Sequence, residues 1–213
     1  VRARHIEFQL LVDDSGEVLQ LGDRECSIQH RHQKLIEESP SIAIGRLVRE
    51  TLSQRVRSAA ETIGYRGAGT FEFILDPENR FYFLEVNPRL QVEHPVSEMV
   101  TGIDIVKEQI RIACGEGLSW NQQDVEQHGH SMECRVNAEN PNTFMPSPGV
   151  ISMIRLPVGD GPGIRVDSAC EVGTEITPHY DSLIAKIITH GRNRSETIAR
   201  MRRALQTTII KGV

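Results

Sequence analysis

Cysteine is scarce in this chain: four residues in 213, at positions 26, 114, 134 and 170, with no C-x-x-C among them. That spacing excludes a disulfide framework and a zinc ribbon and fits a reduced protein. Cys26 with His30 and His32 matches no zinc pattern. Aromatic residues are only 5% of the chain and the net charge is −5. A nucleic-acid module built on the basic stretch QHRHQK would lack both the field and the stacking platforms it needs. No apolar run is long enough to span a bilayer. Neither G-x-x-x-x-G-K-[ST] nor G-x-G-x-x-G occurs, so a glycine loop cradling phosphates is missing. Internal repeats and low-complexity segments are absent too. The sequence opens on strand-like VRARHIEF without Met, stops at TTIIKGV and shows no signal or transit segment. We expect it to be an internal stretch of a longer polypeptide.

What is present is organised. HIEFQLLV alternates, with Ile6, Phe8, Leu10 and Val12 on one face and His5, Glu7 and Gln9 on the other. DDSG is a turn and EVLQL a returning strand; residues 22–33 are polar and charge-mixed, and KLIEES is another short strand. Residues 44–63 give the best helix, with a stripe of Ile44, Leu47, Val48, Leu52, Val56, Ala59, Ala60 and Ile63, stopped by Gly64. Pro95 suits a first helical turn in PVSEMVTG, and Asp104 can cap DIVKEQIRIACG, which Gly115 ends. After a composition shift near residue 127, SMECRVNAE, GVISMIRLP, GIRVDSAC and SLIAKIITHG read as strands, and NRSETIARMRRALQTTII as a closing helix.

The densest chemistry is in EVNPRLQVE. Every second residue from Glu85 is polar (Glu85, Asn87, Arg89, Gln91, Glu93), and Val86, Pro88, Leu90 and Val92 lie between them. Upstream, TFEFILDPENRFYFLEVN is a hairpin; centred between Glu78 and Asn79, it sets Glu72 directly opposite Glu85, with Asn87 two positions along. Paired carboxylates repel, and folding alone does not ask for them. An Arg or Lys from another strand could bridge them. A divalent cation is the preferred explanation, because Mg²⁺ and Mn²⁺ take hard oxygen ligands alongside phosphate oxygens.

GYRGAGTFEF, FYFLEVNPRLQVEHPVSEMVTG and ECRVNAENPNTFMPSPG, with RHIEFQ, RECSIQHRHQKLIEE and HYDSLIAKI, closely resemble biotin carboxylase, the ATP-grasp component of biotin-dependent carboxylases such as acetyl-CoA carboxylase. The likeness runs the full length. It implies an α+β fold: the second half of an ATP-grasp domain over 1–126, mostly antiparallel sheet with flanking helices, then an incomplete biotin carboxylase C-terminal domain over 127–213. The family's N-terminal domain and glycine-rich lid have no counterpart in these residues, so this span alone should not turn over.

The implied reaction uses ATP and bicarbonate to form carboxyphosphate, then carboxylates biotin held on a carrier protein. By resemblance, Glu72, Glu85 and Asn87 would hold Mg²⁺ or Mn²⁺ against the ATP phosphates. His5, Gln29 and His32 would line the nucleotide site, and Lys34, Arg89, Gln91 and the backbone of Val92 would hold bicarbonate. Arg89 suits that task, since guanidinium offers a planar fork to a planar oxyanion. Glu93 would be the general base, although a carboxylate of ordinary pKa is a poor one and nearby cations weaken it further. Arg135 would stabilise the oxyanion developing on biotin, with Asp181 near the same pocket; by the residues alone, Arg135 reads first as a strand ion-pair partner of Glu133 or Glu139.

The resemblance further implies a biotin carboxyl carrier protein and a carboxyltransferase as partners, a homodimeric parent, and a cytoplasmic location (the mitochondrial matrix in a eukaryote), with no membrane or nucleic-acid role. The final acceptor (acetyl-CoA, another acyl-CoA, pyruvate or urea) is decided outside these residues. Two rivals are a carbamoyl phosphate synthetase type of ATP-grasp ligase, which shares E-x-N-P-R, and a non-catalytic nucleotide-binding paralogue. Q-V-E-H and ECRVNAE favour the carboxylase over the first, and an intact set of acids and cations disfavours the second.

Overall fold

Alternating apolar residues in the first segment become a strand whose two faces are both put to use. In the computed structural model, which describes residues 3–213, two compact units are formed, one ending at Ser131 and the other Met132–Val213. The first contains β1 (Arg4–Val12), β2 (Val18–His30), β3 (Gln33–Ser39), α1 (Arg46–Thr62), β4 (Gly67–Leu75), β5 (Phe81–Asn87), α2 (His94–Thr101) and α3 (Ile105–Ala113). Its strands lie in the order β5-β4-β1-β2-β3, every neighbouring pair antiparallel.

The even-numbered face of β1 (Ile6, Phe8, Leu10, Val12) packs with Phe71 and Leu75 against Leu52, Val56 and Ala60 of α1. These three recur every four residues, a single line along the helix. Ile44 and Ala59 of the broader expected stripe join this core, but Leu47, Val48 and Ile63 do not: Leu47 is 76% exposed and Ile63 62%. On the other face, Leu11, Leu19, Leu21 and Ala68 pack with Ile103, Ile105 and Ile112. Asp104 caps α3 by accepting the Lys107 N–H at 2.8 Å, and Gly115 leaves it with φ of 79°.

Two further expectations need correction. The returning strand does not stop at EVLQL: β2 continues through the polar, charge-mixed stretch to His30 and turns through Arg31 and His32, both with positive φ, into β3. Polar residues persist in this strand because protein groups take the place of water: Glu7 for Arg24, Arg49 for Asp23, Arg4 and Ser41 for Glu25, and His5 for Gln29. The β4–β5 hairpin keeps the expected register only away from its turn. Phe73 faces Phe83 and Leu75 faces Phe81, and a bulge after Glu72 then restores Glu72 opposite Glu85 and Thr70 opposite Asn87.

The second unit contains most of β6 (His130–Asn137), then β7 (Gly149–Val150), β8 (Met153–Arg155), β9 (Ile164–Asp167), β10 (Glu175–Ile176), β11 (Leu183–Gly191), α4 (Arg194–Thr207) and β12 (Ile209–Lys211). β6, β11 and β9 are adjacent in that order, while β7 pairs with β10 and β8 with β12. Ala138, Ile151, Ile184 and Ala185 form its core. The closing helix is shorter than expected. It stops at Thr207, and the β-branched Ile209 and Ile210 enter a strand instead. Among the described residues, no helix is long and apolar enough to cross a membrane.

Candidate active site

Four residues stand side by side across the first sheet: Arg24 on β2 faces Glu7 on β1, Glu7 faces Glu72 on β4, and Glu72 faces Glu85 on β5. A parallel row holds Gln9, Thr70 and Asn87. Directly paired strand residues share a face, so three carboxylates crowd one line. Something must compensate them.

For Glu7 the compensation is internal. It is fully buried, Arg24 donates to its Oε2 at 3.1 Å through Nε, and Lys34 contacts its Oε1. Burial pushes the Glu7 carboxyl up, helped by Glu93, while Arg24 and Lys34 pull the other way. Glu72 takes hydrogen bonds from Gln91 (2.6 Å), Asn87 (2.7 Å) and Lys34 (3.3 Å) on Oε1, and meets His5 Nε2 at 2.5 Å on Oε2. Burial alone would raise its pKa, but His5, Lys34 and Gln91 outweigh that and hold it at about 2. Lys34 also donates to Glu93 at 2.6 Å. Burial works against the ammonium charge, yet Glu7, Cys26, Glu93 and Glu72 together keep Lys34 above the ordinary lysine range. Cys26 lies within reach of Glu7 and Glu93; burial and then those two carboxylates push its thiol well up, so it is held as the neutral thiol.

The depressed Glu72 pKa carries a signed expectation. A carboxyl whose folded pKa falls from 4.5 to about 2 stabilises the fold above pH 4.5, and that contribution is lost as pH falls through about 2. Acid unfolding followed without ligands should therefore be less steep between pH 4.5 and 2 in Glu72→Gln than in the native protein; identical slopes would refute the assignment.

The sequence-derived residues fall into three groups. His5, Gln29, Lys34, Glu72, Glu85, Asn87, Gln91 and Glu93 come together in one network. Gln29 joins through its Nε2, 3.0 Å from His5 Nδ1, and Asn87 links Glu72 to Glu85 by donating to the latter at 3.0 Å. At the margin, Arg89 is exposed and donates to Asn87 Oδ1 at 3.3 Å, and Val92 is half-buried in the turn between Gln91 and Glu93. His32 is exposed at the β2–β3 turn, and among the described residues no hydrogen bond joins its ring to the cluster. Arg135 and Asp181 belong to the second unit: Arg135 is half-buried on β6, and Asp181 is exposed and accepts the Leu183 N–H at 2.9 Å.

Of the two solutions to the paired carboxylates, the side-chain cation is met only in part. A lysine does reach Glu72, but the described hydrogen bonds and ion pairs do not take it to Glu85. Glu72 and Glu85 instead share the Asn87 amide nitrogen, a point that one oxygen of each carboxylate reaches. The two carboxylate oxygens suit Mg²⁺ or Mn²⁺, and Asn87 would join them as a ligand only with its amide turned, since its Oδ1 here accepts from Arg89. The grouping of His5, Glu7 and Glu72 is a poorer cation site, because Lys34 already supplies its positive charge. Glu7 and Arg24 were missed from sequence. The signal was the polar face of RHIEFQ, which looks like a solvated strand face and is buried.

Residues 1–121 match the family model of the carbamoyl-phosphate synthase L chain ATP binding domain, and residues 133–213 that of the biotin carboxylase C-terminal domain. Biotin carboxylase 1 of Bacillus subtilis is 56% identical over 99% of this chain and 47% of its own length. Biotin carboxylase of Pseudomonas aeruginosa is 54% identical over 99% of this chain and 46% of its own. The biotin carboxylase domain of Hydrogenobacter thermophilus 2-oxoglutarate carboxylase, crystallised with MgADP, ADP and bicarbonate, superposes with a TM-score of 0.97 at 52% identity, covering all of this chain and 47% of that one. The chain thus spans about half the length of the curated relatives it matches. With an ATP-binding model over its first unit, a biotin carboxylase model over its second and identities above one half to all three of these proteins, the chain belongs to the biotin carboxylase family.

Proposed function

We propose that the parent of this chain carries out ATP- and bicarbonate-dependent carboxylation of biotin presented by a carrier protein, the first half-reaction of an acyl-CoA or related carboxylase. The observation that carries this reading is an unbroken hydrogen-bonded path in the first unit: Glu93 to Lys34 (2.6 Å), Lys34 to Glu72 (3.3 Å), Glu72 to Asn87 (2.7 Å) and Asn87 to Glu85 (3.0 Å). A proton acceptor, a fixed cation and an oxygen-rich metal cradle thereby share one wall, as joining bicarbonate to a nucleotide phosphate requires.

Glu72, Glu85 and Asn87 would hold the metal ions, which when bound neutralise charge on the ATP phosphates. His5, Gln29 and His32 line the nucleotide. Lys34, Arg89, Gln91 and the Val92 backbone hold bicarbonate. Glu93 takes its proton so that the oxyanion attacks the γ-phosphorus, ADP leaves and carboxyphosphate forms. That intermediate breaks its C–O bond to give CO₂ and phosphate; the phosphate takes the N1′ proton of biotin, N1′ forms its bond to CO₂, and Arg135 compensates the oxyanion developing on biotin, with Asp181 beside it. The functional division follows the 1–126 and 127–213 segments. The parent acts as a homodimer in the cytoplasm, with a biotin carboxyl carrier protein and a carboxyltransferase as partners; acetyl-CoA is the favoured final acceptor.

The test is ADP release by the full-length parent with Mg²⁺ and ATP, with and without bicarbonate and free biotin. Release that needs bicarbonate and rises with biotin is expected. Release indifferent to biotin would favour the carbamoyl-phosphate type of ligase, the reading lent weight by the family model over residues 1–121. ATP binding without release would favour a non-catalytic paralogue. Glu85→Gln should abolish ADP formation, since it removes a charge from the metal cradle without changing shape; normal turnover would remove Glu85 from the metal site. Arg135→Ala should spare ATP binding and depress biotin carboxylation, and a selective loss of ATP affinity would move Arg135 to the nucleotide.

A further inference from the structure

Arg24 is wholly buried, and each N–H of its guanidinium has an acceptor. Nε donates to Glu7 Oε2 (3.1 Å), one terminal nitrogen to Gln9 Oε1 (2.7 Å) and Ser97 Oγ (3.1 Å), and the other to Thr70 Oγ1 (3.2 Å) and Gln91 Oε1 (2.7 Å). Five donors meet acceptors from β1, β4, α2 and the Gln91 turn. Such saturation secures a buried cation, but it has a second consequence. Guanidinium has no acceptor, so the amide atom of Gln91 that faces it must be the oxygen. The Gln91 NH₂ must then point the other way, where it donates to Glu72 Oε1 at 2.6 Å.

A glutamine amide has no polarity preference of its own; its network decides which end faces a ligand. We propose that Arg24 is a positioning residue that locks Gln91 with its donor end toward the reaction site, making it an obligate hydrogen-bond donor to an anionic substrate. The inference rests on the reading of Gln91 as a bicarbonate ligand. Lysine cannot replace the arginine, because three donors on a point charge leave two of the five acceptors unmatched and fix no plane.

The experiment uses the full-length parent carrying Arg24→Lys, Gln91→Ala and both together, with KM measured separately for bicarbonate and for ATP. Arg24→Lys should raise the bicarbonate KM roughly tenfold, the size of a lost hydrogen bond to a charged group, and the ATP KM less than about threefold. In the Gln91→Ala background it should add less than about twofold, because its route of action is gone. Independent multiplication of the two effects, or a parallel rise in both KM values, would overturn the proposal in favour of a purely structural arginine.

Gln91→Glu covers the case in which Arg24→Lys does not fold. It keeps the acceptor for Arg24 and loses the donor toward Glu72, so the bicarbonate KM should again rise roughly tenfold; a native value would overturn the proposal. If ADP release by the native parent ignores bicarbonate, the functional reading fails instead. Thermal unfolding of native protein, Gln91→Glu, Thr70→Val and the double variant then decides the orientation. Non-additive losses sustain a shared hub at Arg24, and additive ones overturn it.

Discussion

Glu93→Gln in the full-length parent is expected to lower bicarbonate-dependent ADP release by roughly 10²–10⁴-fold, the range that a general base contributes. The substitution is nearly isosteric, and the amide oxygen can still accept from Lys34, which donates to the carboxylate at 2.6 Å. Binding geometry is therefore retained while the capacity to take a proton at neutral pH is lost. Since Lys34 meets Glu7 and Glu72 as well as the buried Glu93, one cation is shared among three acids rather than dedicated to the base. The check is kcat and the ATP KM at fixed bicarbonate, with a pH–rate profile whose acid limb should vanish in the variant. A loss under about threefold would remove Glu93 from proton transfer and return it to the structural network.

How much of this site could be read in the chain depends on how each residue advertises itself. The Glu72–Glu85 pair was legible because two aromatic-rich runs around an evident turn set a register, and two carboxylates in register conflict with folding alone; the alternation of EVNPRLQVE is strand only to Asn87, after which the chain turns toward α2. The bulge after Glu72 was not legible; Asp76 to Arg80 closes the hairpin through a longer turn, and nothing in DPEN announces the residue that restores the pairing. β2 was half lost for a different reason. A strand is recognised by apolar alternation, and the end of β2 carries Asp23, Arg24, Glu25 and Gln29, whose partners lie on other strands, on α1 and α2 and at Ser41 after β3. Sequence periodicity reports burial against hydrocarbon. It is silent about burial against a charge network, and that is why Glu7 and Arg24 were missed.

The same network sets the largest stability effect. Glu7→Met is expected to destabilise the parent by about 3–5 kcal/mol, the cost of leaving a buried charge without its partner. Arg24 would keep only neutral acceptors in Gln9, Ser97, Thr70 and Gln91, with no water to replace the carboxylate. Lys34 suffers less, because Glu72 and Glu93 remain. Removing both charges should therefore recover much of the loss: Glu7→Met with Arg24→Met exchanges an ion pair for apolar contact, often a neutral or stabilising change. Denaturant unfolding of the two singles and the double gives the coupling. A single-variant loss below about 1 kcal/mol would place the Arg24 compensation elsewhere. Recovery in the double variant without recovery of ADP release would separate the two uses of the pair. Folding needs the charges only to match, whereas catalysis needs them present, since the arginine that neutralises Glu7 also sets the polarity of Gln91.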